Sequence, residues 1–329
     1  MPRPPDLPGW AELSAGLHVV RVPLAVPFRG VDAREAVLLR GPAGWGEFAP
    51  FVEYDDAESA RWLAAAVEAA WTGWPAPRRS AVPVNATVPA VPAASVPAVL
   101  ARFPGCRTAK VKVAQAGQVL ADDVARVAAV RAALGPDGRI RVDANAAWSV
   151  PQAVVALTAL APYGLEYAEQ PCASVPELAA LRRELAGAVP IAADESVRKA
   201  ADPARVALAG AADVVVLKVA PMGGVRAALA VAGSCGLPVV VSSALDTSVG
   251  IAAGVALAAA LPDLPYACGL GTAGLLATDV TTAPLLPRDG ALPVRPVDPD
   301  RRDALAAAPD RQVWWTDRLR RCHALLAAP

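Results

Sequence analysis

Five short stretches decide how this chain is read: Ala109-Lys-Val-Lys-Val113, Arg141-Val-Asp-Ala-Asn145, Tyr167-Ala-Glu-Gln-Pro171, Ala192-Ala-Asp-Glu-Ser196 and Val214-Val-Val-Leu-Lys218. Each is a short apolar run with a charge at or near its end. With Lys112, Asp143, Glu169, Asp194, Lys218 and then Ser242 as markers, the steps are 31, 26, 25, 24 and 24 residues. One strand, one helix and two short loops have about that length, so the spacing predicts repeated β/α units. Strands are expected at 109–113, 140–145, 165–169, 190–194, 214–218, 238–242 and 266–270, with one more near 84–87. Helices fill the gaps at 122–134, 151–160, 175–185, 203–209, 224–235 and 250–261. Eight strands in near-constant steps favour a closed α/β barrel of the (β/α) type over an open doubly wound sheet.

Outside this array the texture differs. Residues 17–48 read as strands with turns at Gly41 and Gly46, and Asp56–Trp71 as an amphipathic helix with an aspartate cap, together a small α+β unit. The expected division is a capping domain at 1–80, a barrel at 81–284, and a C-terminal segment at 285–329 that returns to the cap through a helix over 310–328.

Composition excludes several classes. Lys+Arg and Asp+Glu both number 31, which leaves no basic surplus for nucleic acid or anionic lipid. The longest uncharged apolar run, 249–262, is short of the roughly 18–20 residues a membrane helix needs. No charged start followed by an apolar stretch marks a secretory signal, so a cytoplasmic protein is expected. Five scattered cysteines form no CxxC pair, and the two histidines, His18 and His323, lie near the termini, so zinc and histidine chemistry are poor fits. Carboxylates and lysines must carry any reaction.

In a barrel the strand C-termini open on one face. Asp143, Glu169 and Asp194 would then form an oxygen-only cage for a hard cation, Mg²⁺ with Mn²⁺ possible. Lys110 and Lys112, two apart on one strand, share a face on one side of it, and Lys218 comes from the other. A buried ion network is the bland alternative, but such clusters are costly to desolvate and weak as stabilisers. A cation flanked by opposed lysines can bind a substrate carboxylate, acidify its α-carbon and hold the resulting enediolate. A lysine acts as base only if its pKa falls to about 7–8, and like-charge repulsion between Lys110 and Lys112 is the expected cause.

This pattern resembles the enolase superfamily in its muconate-lactonising-enzyme-like branch: KVK on the second barrel strand, D-x-N on the third, EQP on the fourth, DES on the fifth and a lysine on the sixth. The resemblance implies a modified TIM barrel, (β/α)₇β, under an α+β cap. It implies metal ligation by Asp143, Glu169 and Asp194, with Lys112 as base and Lys218 opposite. Asn145, Glu195, Ser242 and Ser243 are expected around the ligands or the substrate, and Arg29 as a partner for a substrate carboxylate. Within the branch, PFRG at 27–30, WGEFAPFVEY at 45–54 and VVVSSALDTSVG at 239–250 are similar to actinobacterial o-succinylbenzoate synthases of menaquinone biosynthesis. That implies a lyase acting on a small-molecule carboxylate. Racemase or cycloisomerase chemistry is the near alternative, and a non-catalytic binding barrel the distant one; the oligomeric state stays open. A dipeptide epimerase would carry D-x-D on the eighth strand, and this chain does not. Gly269-x-Gly271-x-x-Gly274 spells a dinucleotide fingerprint, but no long helix and second strand follow it, so a glycine loop is expected. Ser196-x-x-Lys199 lacks the companion motifs of penicillin-recognising enzymes and reads as the start of a helix.

Overall fold

The computed structural model describes residues 7–28, 30–198 and 209–328. Arg29, Lys199 and all but the last residue of the helix expected over 203–209 lie outside them.

The cap is an antiparallel sheet of β1 (Leu17–Phe28), β2 (Val31–Gly41) and β3 (Gly44–Phe48), with β2 in the middle. The helix Asp56–Val67 lies against it, and the Asp55 carboxylate accepts the Glu58 N–H at 2.7 Å to close its first turn. The C-terminal helix Pro309–Ala327 covers the cap from outside. Trp315 meets Phe48 edge-on with centroids 6.0 Å apart, and Arg318 Nη2 donates to Phe51 O at 3.0 Å and to Ser59 Oγ at 2.8 Å.

A short strand β4 (Ala81–Pro83) leads into the barrel strands β5 (Ala86–Val88), β6 (Thr108–Lys112), β7 (Arg139–Asp143), β8 (Leu165–Glu169), β9 (Ile191–Ala193), β10 (Val214–Leu217) and β11 (Val239–Val241), all parallel and in chain order. A final strand β12 (Ala291–Pro293) returns to pair with β4. The eighth barrel strand, expected over five residues, is reduced to two bridging residues. Cys268 O accepts the Asn85 N–H at 2.9 Å and Gly269 N donates to Val241 O at 2.8 Å, which ties the two sheet edges together. The reason is close packing: a Cβ on Gly269 would lie 2.5 Å from Ser242 Oγ, and one on Gly271 would lie 2.8 Å from Asn85 O. The glycines of the apparent fingerprint therefore serve barrel closure.

Helices line the outside. Those at Val150–Leu160 and Val175–Leu185 each begin with a serine whose partner three residues on, Gln152 or Glu177, returns a hydrogen bond to the cap, followed by proline in the first turn. The strands are Val-, Ile- and Ala-rich because both faces are buried, outward against helices and inward in the barrel. The lower interior is plugged by Arg141, whose guanidinium stands 4.7 Å over the Tyr167 ring and donates to Asn85 Oδ1 at 3.1 Å. This packed floor fills the lower interior, and the strand ends open at the C-terminal mouth.

Candidate active site

Strand register builds the site. Lys112, Asp143 and Glu169 are Cα partners across β6, β7 and β8, so their side chains form one row at the mouth. Asp194, Lys218 and Ser242 each stand one residue beyond β9, β10 and β11 and extend the row around the rim. Lys110 lies one interior layer lower, level with Arg141.

The row is a chain of ion pairs. Lys110 Nζ contacts Glu169 Oε1 at 2.8 Å and Asp143 Oδ2 at 3.2 Å. Lys112 Nζ contacts Asp143 Oδ2 at 2.5 Å and Asn145 Oδ1 at 2.7 Å, and Lys218 pairs with Asp194. The three carboxylates are each 1% exposed, and the Lys112 and Lys218 side chains 13% and 14%. Asn145 also donates to Glu195 Oε1 at 3.3 Å.

The turns after the strands hold this arrangement. Asn145 and Gln170 take φ of +46° and +39°, the left-handed region where a side chain is tolerated only when neighbours secure it. Gln170 Oε1 accepts the N–H of Asp194 at 2.9 Å and of Ser196 at 3.1 Å, while its Nε2 donates to Cys172 O at 2.8 Å and Ser196 Oγ at 2.6 Å. One buried amide thereby sutures the end of β8 to the end of β9. Its role escapes the sequence because nothing local names those partners.

Burial and charge divide the lysines. For Lys110, burial disfavours the ammonium, but Glu169 and Asp143 outweigh it and hold its pKa above the ordinary lysine value. For Lys112 burial leads, and with repulsion from Lys110 it outweighs Asp143, so its pKa falls below the ordinary value. Like-charge repulsion, the expected cause, is thus secondary to burial. For Lys218, burial opposes charge, but Asp194 and Glu195 win and the pKa rises. Glu169 is pushed up to about 7 by burial and by the nearby Asp143 charge. Burial also opposes ionisation of Asp143, but Lys112 and Lys110 hold that carboxyl well below the usual range.

A cleft opens over the row. Lys110, Lys112, Asn145, Lys218, Ser242 and Ser243 line it from the barrel, with Phe28, Phe51, Tyr54 and Trp62 on the cap side. Ser243 Oγ donates to Gly269 O at 2.8 Å and shares a 2.7 Å hydrogen bond with Thr272 Oγ1, while Ser242 Oγ lies 3.4 Å from Gly269 O. Lys112 Nζ stands 5.4 Å from the centre of the Phe28 ring. All sequence-derived site residues therefore meet at one mouth, apart from Arg29, which lies outside the described residues. Trp62 was not among them, because in sequence it reads as one more buried position of a helix.

The Enolase C-terminal domain-like family matches residues 96–300 and the Enolase N-terminal domain-like family residues 19–70. The chain belongs to the enolase superfamily. Within it, the chain is similar over nearly its whole length to o-succinylbenzoate synthases. That of Mycobacterium marinum is 59% identical, with 99% of this chain and 98% of the relative covered. That of Mycobacterium leprae is 58% identical, covering 97% and 95%. Among solved structures, muconate lactonizing enzyme from Pseudomonas putida superposes with a TM-score of 0.74 at 20% identity over 88% of this chain and 98% of that one. The enzyme from Pseudomonas fluorescens complexed with muconolactone gives 0.75 at 24% identity over the same shares. These two likenesses speak for the fold.

The superfamily implies a divalent cation. As they stand, no three His, Cys, Asp or Glu side chains among the described residues form a group that could hold one, because the carboxylates are turned to lysine ammoniums. The donor chemistry nevertheless fits: Asp143, Glu169 and Asp194 are oxygen donors, buried, at adjacent strand ends, and burial first and the Asp143 charge second raise the Glu169 pKa, a cost a cation would relieve.

Proposed function

We propose that the chain is an o-succinylbenzoate synthase, a hydro-lyase that converts 2-succinyl-6-hydroxy-2,4-cyclohexadiene-1-carboxylate to o-succinylbenzoate and water in menaquinone biosynthesis. The observation that carries the reading is the placement of Lys112 and Lys218 in one cleft, on β6 and after β10, with the three carboxylates between them. Full-length similarity to o-succinylbenzoate synthases supports the substrate.

Asp143, Glu169 and Asp194 would hold Mg²⁺, which supplies Lewis-acid polarisation of the substrate carboxylate when bound. Lys112, with its pKa lowered, takes the proton from the carbon α to that carboxylate onto Nζ. The C–H electron pair moves into the carboxylate as an enediolate, beside which Lys218 stays protonated and contributes a fixed positive charge. When that pair returns, the ring C–O bond breaks, the Lys112 ammonium gives its proton to the departing hydroxyl, and water leaves an aromatic ring. Phe28, Phe51, Tyr54 and Trp62 form an apolar wall that limits water at the reacting carbon. Arg29, on sequence grounds, is proposed to meet the succinyl carboxylate.

The opposed lysines also suit racemisation of an N-succinylamino acid by two bases. Purified protein with Mg²⁺ and the cyclohexadiene acid is expected to produce the aromatic ultraviolet spectrum of o-succinylbenzoate. Exchange of the α-hydrogen of an N-succinylamino acid in D₂O, without any such aromatisation, would replace lyase by racemase.

A further inference from the structure

Away from the row of strand ends, three charged side chains meet where the cap docks on the barrel. Arg34 on β2 and Glu47 on β3 are buried, and Asp246, in the loop after β11, is partly buried. Arg34 Nε donates to Leu245 O at 3.1 Å, its Nη2 donates to Ala49 O, and its guanidinium lies 4.4 Å from the centre of the Phe51 ring. Glu47 reaches the other way: its Oε2 accepts from Thr247 Oγ1 at 2.5 Å and Gly250 N at 3.1 Å, and its Oε1 from Thr247 N at 3.3 Å. Thr247 is the cap residue of the helix Ser248–Ala260, so a carboxylate from the capping domain completes the N-terminus of a barrel helix.

The Arg34 contacts end on the cleft wall. Phe51 and Leu245 both line it, one from each domain. Leu245 has φ +64°, the left-handed region that disfavours a side chain, so its orientation depends on what holds its carbonyl. Here Arg34 holds it.

We propose that Arg34, Glu47 and Asp246 form a clasp that fixes the cap's Phe51 and the barrel's Leu245 against the distal part of the substrate, with Arg34 as its positioning residue. The inference rests on the lyase reading, since its measure is recognition of that substrate. Charge balance agrees with the geometry. Burial and the neighbouring Asp246 push Glu47 up to about 8, and burial raises Asp246 as well, so the Arg34 guanidinium offsets charge that the seam disfavours. Among the described residues the clasp makes no hydrogen bond to Lys112 or Asp143, and although Asp246 feels the Lys218 charge across a shared cleft, both tests leave Asp246 unsubstituted, so loosening the clasp alters substrate fit and spares the base.

Two variants approach the clasp from opposite sides. Arg34→Met removes the hub, and Arg34→Lys keeps the charge without the fork. Gly250→Ala adds a Cβ 2.7 Å from Asp246 Cβ and 2.9 Å from Glu47 Oε1, disturbing the clasp without unpairing a buried charge. In folded protein, Arg34→Met and Gly250→Ala are expected to raise KM by about tenfold or more while kcat changes by less than about threefold, with partial recovery in Arg34→Lys. Metal affinity should match the wild type. An unaltered KM in a folded variant overturns the clasp, as does a kcat that falls in step with KM. If Arg34→Met does not fold, Gly250→Ala decides alone. A wild-type protein inactive on the cyclohexadiene acid would instead defeat the functional reading.

Discussion

At the strand ends, Lys112, Asp143 and Glu169 stand side by side because backbone register puts them there. At the cap–barrel seam, Arg34 and Glu47 reach partners 211 and 200 residues away through side chains alone. Both places bury charge, but the first is built on a rigid parallel sheet and the second on the docking of two separately built units. The difference teaches where errors would be felt. On the proposed reading a fault in the row would change the chemistry, whereas a fault at the seam would change which molecule fits.

The largest effect is expected from the metal. Chelation with EDTA should abolish turnover, and Mg²⁺ or Mn²⁺ should restore it, because three buried carboxylates facing one substrate carboxylate repel it without a cation. Full activity in metal-free buffer would remove the row from the chemistry. Lys218→Ala should lower kcat by about 10²–10³, the usual loss for one fixed charge beside a developing anion, with little change in metal affinity. Phe51→Ala, on the cap side, should raise KM by about tenfold and leave metal affinity alone; equal loss of metal binding would merge the two regions. The smallest effect concerns stability. Glu47 has a folded pKa of about 8 against an ordinary value of 4.5, so the folded state binds the extra proton between those values. Stability should therefore fall as pH rises through that window, by no more than about 1.4 kcal/mol per pH unit for one proton. Denaturant melts at several pH values would show it, and Glu47→Gln should flatten the slope.

Much of the row was legible in advance. Val- and Ala-rich runs ending in Asp143, Glu169 and Lys218 at steps of about 25 residues can hardly be other than parallel strands opening on one mouth. The eighth strand was overdrawn, since periodicity does not show that Gly269 and Gly271 must press against Ser242 and Asn85. Trp62 was hidden in the helical period of Asp56–Val67. Gln170 stood in the quoted EQP stretch without a role, because these partners are backbone amides just beyond the next strand. Asp246 and Glu47 stood inside the quoted stretches 239–250 and 45–54 without a role, and Arg34 is one more charge on a cap strand. Side-chain bonds across two hundred residues leave no local pattern to read.

Lys112 is proposed as the base for α-proton abstraction. Its most direct test is the aromatisation rate of Lys112→Ala on the cyclohexadiene acid with saturating Mg²⁺, alongside its melting temperature and metal affinity. The expected result is a folded, metal-binding protein whose kcat is lower by at least the ~10²–10⁴ associated with general acid–base catalysis. Dehydration at the wild-type rate would show that Lys112 is not the base and pass the role to Lys110, the neighbouring lysine in the same cleft.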